Sequence, residues 1–126
     1  MKTNALLSLL IVCSLFIGCG NSNDDGRLTA KSTEQAASVL DQSFANADTA
    51  MKQNVSAVSE ALRKREYEKA VISLQAVQQA PNITIDQGMA IQNSSILLER
   101  ELVNAIERGD KNAERVYQLL KQMRRN

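Results

Sequence analysis

From Ser32 onward the apolar residues of this chain recur every three or four positions, and that spacing limits what it can fold into. Ala36, Leu40, Phe44 and Ala47 share one helical face, as do Met51, Val55, Val58 and Leu62. Tyr67, Ala70, Val71, Leu74 and Val77 make a third such set. A stripe of this kind is stable only when it is buried against another element. No stretch alternates apolar and polar residues with the period of two that a half-buried strand requires. The sequence therefore predicts an all-α domain over residues 32–126, with about five helices packed as successive antiparallel hairpins.

Local signals divide the helices. Ser32 with Gln35 has capping-box spacing and starts the first. Asn46-Ala47-Asp48-Thr49 groups cap-type residues, so a break falls there and the second helix starts near Thr49. It should end around Arg63-Lys64-Arg65, where basic side chains suit the negative end of the helix dipole. The third helix must stop before Pro81, which disfavours helix in the residue ahead of it. Thr84, Asp86 and Gln87 combine a cap, an acidic first turn and a capping-box partner, the strongest helix start in the chain. A long helix through Ile91, Leu98, Leu102 and Ile106 should follow, to about Arg108. Gly109-Asp110 ends it and starts the last, which carries Ala113, Val116, Tyr117, Leu120 and Met123.

The N-terminus has a different character. Met1-Lys2 is a positive start, and Ala5 to Ile17 is apolar apart from two serines and a cysteine. Gly18-Cys19 closes the run, and polar Gly20-Asn21-Ser22-Asn23-Asp24-Asp25 follows at once. This is the order of a cleaved secretory signal, and the run is shorter than the roughly 20 residues that cross a bilayer. Leu15-Phe16-Ile17-Gly18-Cys19 resembles the bacterial lipobox, with Phe16 where leucine is usual. The resemblance implies a signal peptide at 1–18, cleavage between Gly18 and Cys19, and a diacylglycerol on the Cys19 thiol. Residues 19–31 then form the lipidated cysteine and a flexible tether. The expected address is the bacterial cell envelope, with the protein bound to the membrane through Cys19. Gly20 in place of aspartate after the cysteine argues, by the enteric rule, for the outer membrane over inner-membrane retention. Cys13 follows bulky Val12 inside the apolar run and reads as a small apolar residue.

Two stretches, Ala61 to Ala70 and Asn104 to Ala113, resemble the turn of a tetratricopeptide repeat. Tyr67 and Ala70 match in the first, and Gly109 and Ala113 in the second. Asp110 stands in place of the tyrosine, and the first copy lacks the turn glycine. The copies lie about 43 residues apart against a repeat length of about 34, so the resemblance implies helical hairpins only. Taken whole, the chain is similar to small helical bacterial lipoproteins.

Composition narrows the chemistry. Histidine is absent, which removes the commonest general base and metal ligand. There is no cysteine cluster for zinc and no glycine-rich loop for phosphate. No cofactor or metal site is expected. Glu66 and Glu68 flank Tyr67, and Glu99 and Glu101 flank Arg100, but residues two apart on a helix point to different sides. They read as solvated charge, and no catalytic residue is assigned. Asn82-Ile83-Thr84 and Asn93-Ser94-Ser95 fit the N-glycosylation triplet, though a bacterial envelope protein is seldom modified there. Losing Lys2 from the 15 basic side chains leaves 14 against 14 acidic ones, so nucleic acid is not an expected partner. Lys121, Arg124 and Arg125 are a local basic excess that suits a helix end and offers contact to anionic lipid or cell wall.

The expectation is a membrane-anchored helical interaction or structural module of the envelope, not an enzyme. Tyr67 and Tyr117 are its candidate partner contacts, against a reading of both as core residues with the hydroxyl at the rim. An envelope hydrolase or a modulator of one, and a self-associating coiled-coil lipoprotein, are the alternatives.

Overall fold

The computed structural model describes residues 30–125. The signal segment, Gly18, Cys19 and the Asp24-Asp25 pair lie outside the described residues. Within them the chain forms five α-helices and no strand: α1 Thr33–Ser43, α2 Thr49–Lys64, α3 Tyr67–Gln78, α4 Ile85–Glu107 and α5 Lys111–Met123. None is long and apolar enough to cross a membrane.

Each helix starts where its cap chemistry places it, with one exception. Ser32 Oγ accepts from Gln35 N, Asp48 from Met51 N, and Asp110 from Asn112 N and Ala113 N. At Thr84 the capping box is complete: Gln87 N donates to Thr84 Oγ1 (3.2 Å), and Thr84 N donates to Gln87 Oε1 (3.0 Å). The box expected at Ser32 closes only halfway. Gln35 Oε1 accepts from Lys31 N, not from Ser32 N, because Lys31 is held close by Arg100 Nη2 on its carbonyl (3.1 Å). The exception is α3, whose N-cap Glu66 makes no side-chain cap bond.

The turns α2–α3 and α4–α5 share one geometry. Glu66 N reaches back to Ala61 O and Arg65 N to Leu62 O, while Asp110 N reaches Ala105 O and Gly109 N reaches Ile106 O. This is the Schellman closure, which needs a residue in the left-handed region. Gly109 supplies it with φ 85° in one turn, and Arg65 with φ 56° in the other. Arg65 therefore occupies the glycine position, and the turns match Arg65 to Gly109, one residue out of step with a match of Ala70 to Ala113.

The helices close into a ring. α1 packs on α2, α2 on α3 and α3 on α4, and α4 returns to α1. Successive neighbours run antiparallel. Arg63 of α2 meets Glu34 and Asp41 of α1, and Gln78 Nε2 of α3 meets Ser95 Oγ of α4. Gln87 Nε2 at the start of α4 donates to Ser43 O at the end of α1, which fixes the return. The result is a four-helix bundle with α5 laid outside, against α4 and α3. The hairpin expectation holds, and the α1–α4 closure adds what neighbour-to-neighbour packing does not include.

The core is aliphatic. Leu40, Val58, Leu62, Val77, Leu97, Leu98, Leu102 and Val116 are almost fully enclosed, as is Phe44, the one phenylalanine of the core. Ala30, two residues ahead of the expected domain start, already belongs to it. Alanines at 36, 37, 61, 70, 90, 105 and 113 let the helix axes approach closely. Among the described residues no buried side-chain polar atom lacks a hydrogen-bond partner. Buried Ser59 donates to Asp41 Oδ1 (2.6 Å), with the Ala37 carbonyl close by at 3.2 Å. Buried Ser94 bonds back to Ala90 O (2.8 Å).

Candidate functional site

A concavity lies where α3, α4 and the end of α5 meet. α4 has 23 residues and α5 has 13, so α5 covers only the second half of α4. Its end is fixed by Arg124 Nη2, which donates to Glu99 Oε2 at 2.8 Å. Beyond that point α4 runs on without it, and a groove of about 390 Å³ lies between the last turns of α3 and α5 and the middle of α4. Val71 and Leu74 of α3, Ile96 and Leu98 of α4, and Leu120 and Met123 of α5 form its apolar floor and walls. Gln75, Gln78, Gln92, Glu99 and Arg124 set polar groups among them.

Its only titratable lining groups are Glu99 and Arg124, already paired with each other. Such a groove offers apolar surface with amide donors and acceptors, the chemistry of a peptide or helix site. A second, shallower depression is lined by Arg65, Glu66, Tyr67, Glu68, Lys69, Ile72, Ser73 and Asn112.

The carboxylate pairs read from sequence separate as helix geometry requires. Glu66 lies 3.5 Å from Lys69 Nζ, and Glu68 accepts two bonds from Arg115 (3.2 and 2.7 Å). Those bonds hold the Glu68 carboxyl below the ordinary carboxylate range and raise the Arg115 guanidinium further. Arg63 bridges Asp41 (2.9 Å) and Glu34 (3.1 Å), and its hydrogen bond to Asp41, then that to Glu34, raise its pKa in turn. Glu60 and Lys64 pair at 3.2 Å, as their spacing predicts. The other i,i+4 couple, Glu107 and Lys111, is divided by the Gly109 turn, and Lys111 Nζ lies instead 3.4 Å from Glu114. Among the described residues no group of three His, Cys, Asp or Glu side chains could hold a metal ion.

The two tyrosines sit differently. Tyr67 is 9% exposed, a core residue whose edge reaches the shallow depression. Tyr117 is half-buried against the core, with Lys121 Nζ 5.4 Å from its ring centroid. Neither lines the α3–α4–α5 groove. Gly18 and Cys19 lie outside the described residues. Thr84 of the first glycosylation-type triplet is a helix cap, and Ser95 of the second is buried and accepts from Gln78.

One feature was missed from sequence. Five large apolar side chains stand exposed among the described residues, and four of them lie on α4: Ile85, Met89, Ile96 and Val103. At 100° per residue they fall within about 40° of one another. The seven-residue steps from Met89 to Ile96 to Val103 were the available signal. They were masked by the inward stripe of Ile91, Leu98 and Leu102 on the same helix.

Comparison of the chain with models of known protein families, with curated proteins and with solved structures finds no match.

Proposed function

We propose that this protein is a lipid-anchored module of the bacterial cell envelope whose helical domain binds a protein partner. The observation that carries the reading is Leu15-Phe16-Ile17-Gly18-Cys19 at the end of a charged, then apolar, N-terminal run. A small Gly18 gives a peptidase access to the backbone, and the Cys19 thiolate is the nucleophile to which a diacylglycerol is joined. One acyl chain gives a marginal anchor; several, at about 0.8 kcal/mol per buried CH₂, give a durable one. Support for the binding role comes from the α3–α4–α5 groove, with an apolar floor, amide-bearing walls and an opening where α5 runs out.

Two measurements test the two halves. Cells fed a palmitate analogue should label the wild type and leave Cys19→Ala unlabelled; equal labelling removes the anchor. A photo-crosslinking residue at Gln78 or Gln92, on the groove, should trap an envelope protein in intact cells, whereas one at exposed Lys52 on α2 should not. Adducts of equal yield from both positions exclude the groove as the binding site.

A further inference from the structure

The outer face of α4 has no partner among the described residues, and three observations indicate what covers it. The first is the stripe itself. Ile85, Met89 and Val103 are exposed on the side of α4 away from its buried stripe, Ile96 continues their row at the rim of the groove, and Ile85 is 83% exposed. A line of large apolar side chains along the whole length of one helix marks an interaction surface.

The second is charge. Arg100 stands on one side of the stripe, next to the backbone of Lys31. On the other side the end of α5 brings Arg124 to Glu99, with Arg125 following. Glu99, the acid at the centre, is paired by Arg124 at 2.8 Å. Around the middle of α4, Lys31, Arg100, Arg124 and Arg125 stand against Glu99 and Glu101, which leaves an excess of positive charge. Asp86 and Glu107 lie toward the two ends of α4.

The third is where the rest of the chain joins. Arg100 Nη2 holds the Lys31 carbonyl at 3.1 Å, so the polypeptide enters the domain beside this stripe. Cys19 precedes Ala30 by eleven residues, and an extended chain of that length spans at most about 40 Å. α4 itself is about 35 Å long. An anchor at Cys19 therefore keeps this side of the bundle within reach of the bilayer.

We infer that the α4 face is a lipid-docking surface. The Ile85–Met89–Ile96–Val103 stripe sits in the headgroup region of the membrane that holds Cys19, and Lys31, Arg100 and Arg125 meet anionic headgroups around it. An apolar helix face with flanking cations binds bilayer interfaces in this way. The inference rests on the lipid-anchor reading and gives the domain a fixed orientation. The groove that shares Ile96 then opens beside the bilayer, so a partner is met at the membrane surface.

The test uses the acylated chain reconstituted in vesicles of phosphatidylcholine with phosphatidylglycerol. A nitroxide is placed at Met89→Cys, at Val103→Cys or, as a control, at Gln53→Cys on α2, which does not pack on α4. Intact mass first reads the acyl group on Cys19. An unacylated Cys19 overturns the anchor reading and the inference with it. With Cys19 acylated, the ratio of oxygen to nickel-chelate accessibility should rise several-fold at Met89 and Val103 over Gln53. Lowering the phosphatidylglycerol fraction should reduce that difference. Equal, water-like accessibility at all three positions overturns the docking surface while leaving the anchor standing. Dipolar coupling between labels at Met89 or Val103 on different molecules also overturns it, because the stripe then pairs with a second copy of the chain.

Discussion

Replacing Arg65 with glycine should make this protein more stable, although it deletes a charged side chain. Arg65 closes the α2–α3 turn at φ 56°, a left-handed conformation that costs an ordinary L-residue about 1–2 kcal/mol. Glycine removes that strain but adds backbone freedom to the unfolded chain, which costs roughly 0.5–1 kcal/mol. The net gain is about 0.5–1 kcal/mol. In a domain of this size it raises the melting temperature by about 2–8 °C. Little is lost with the side chain, because Arg65 is exposed and Arg63 and Lys64 still provide the basic end of α2. The second turn supplies the converse experiment. Gly109 sits at φ 85°, and a Cβ built there meets nothing within 4 Å, so Gly109→Ala tests backbone strain alone. It should cost about what Arg65→Gly gains. Urea denaturation followed by far-ultraviolet circular dichroism measures both, with unchanged m-values showing that stability alone has moved. If Arg65→Gly unfolds at or below the parent midpoint while Gly109→Ala is destabilising, the guanidinium contributes more than the backbone strain costs. The reasoning is then wrong at Arg65.

Other consequences concern the caps, the core and the surface pairs. Thr84→Ala should lower stability by about 1 kcal/mol. Adding Gln87→Ala should cost less than the sum of the two single changes, since each side chain completes the other's bond; a double-mutant cycle in urea reads the coupling. Leu102→Ala, at a site with 0% exposure, should cost about 2–5 kcal/mol, and a loss under 1 kcal/mol would show that the bundle collapses around the gap. Glu68 has a folded pKa below its unfolded value, so its contribution is present above the unfolded pKa, about 4.3. That contribution is lost as pH falls through the lower folded value. Glu68→Gln should therefore flatten the acid limb of stability against pH at low salt. At high salt the two proteins should converge, because the Glu68–Arg115 pair is exposed and screened. Parallel acid limbs at low salt would remove Glu68 from the pH response.

The helices were legible because each boundary rests on chemistry carried by a few adjacent residues. Thr84, Asp86 and Gln87 predict a start and deliver one, and Gly109 takes the left-handed φ of 85° where α4 ends. Caps were less legible where a distant group intervenes. Gln35 bonds Lys31 N, next to a carbonyl that Arg100 holds from 69 residues away in sequence. The left-handed turn at Arg65 was hidden for a related reason: the Schellman closure fixes the φ, and the residue type only sets its cost.

What sequence could not separate was which apolar stripe of α4 faces inward. Ile91, Leu98 and Leu102 repeat at helical spacing, and so do Ile85, Met89, Ile96 and Val103, on the opposite side. Periodicity gives the direction of a stripe on its own helix and says nothing of the neighbour it meets. The choice is made by the ring. α1, α3 and α5 all pack on one side of α4, where Ala90 and Ala105 allow close approach, and Gln87 and Arg100 tie that helix to α1 at both ends. Once those contacts are satisfied, no helix of the bundle remains to cover the second stripe. An amphipathic pattern on both faces of one helix thus has two different explanations in one domain. The inner stripe holds the fold together. The outer stripe adds nothing to the fold among the described residues, so its explanation must lie in what the folded domain touches.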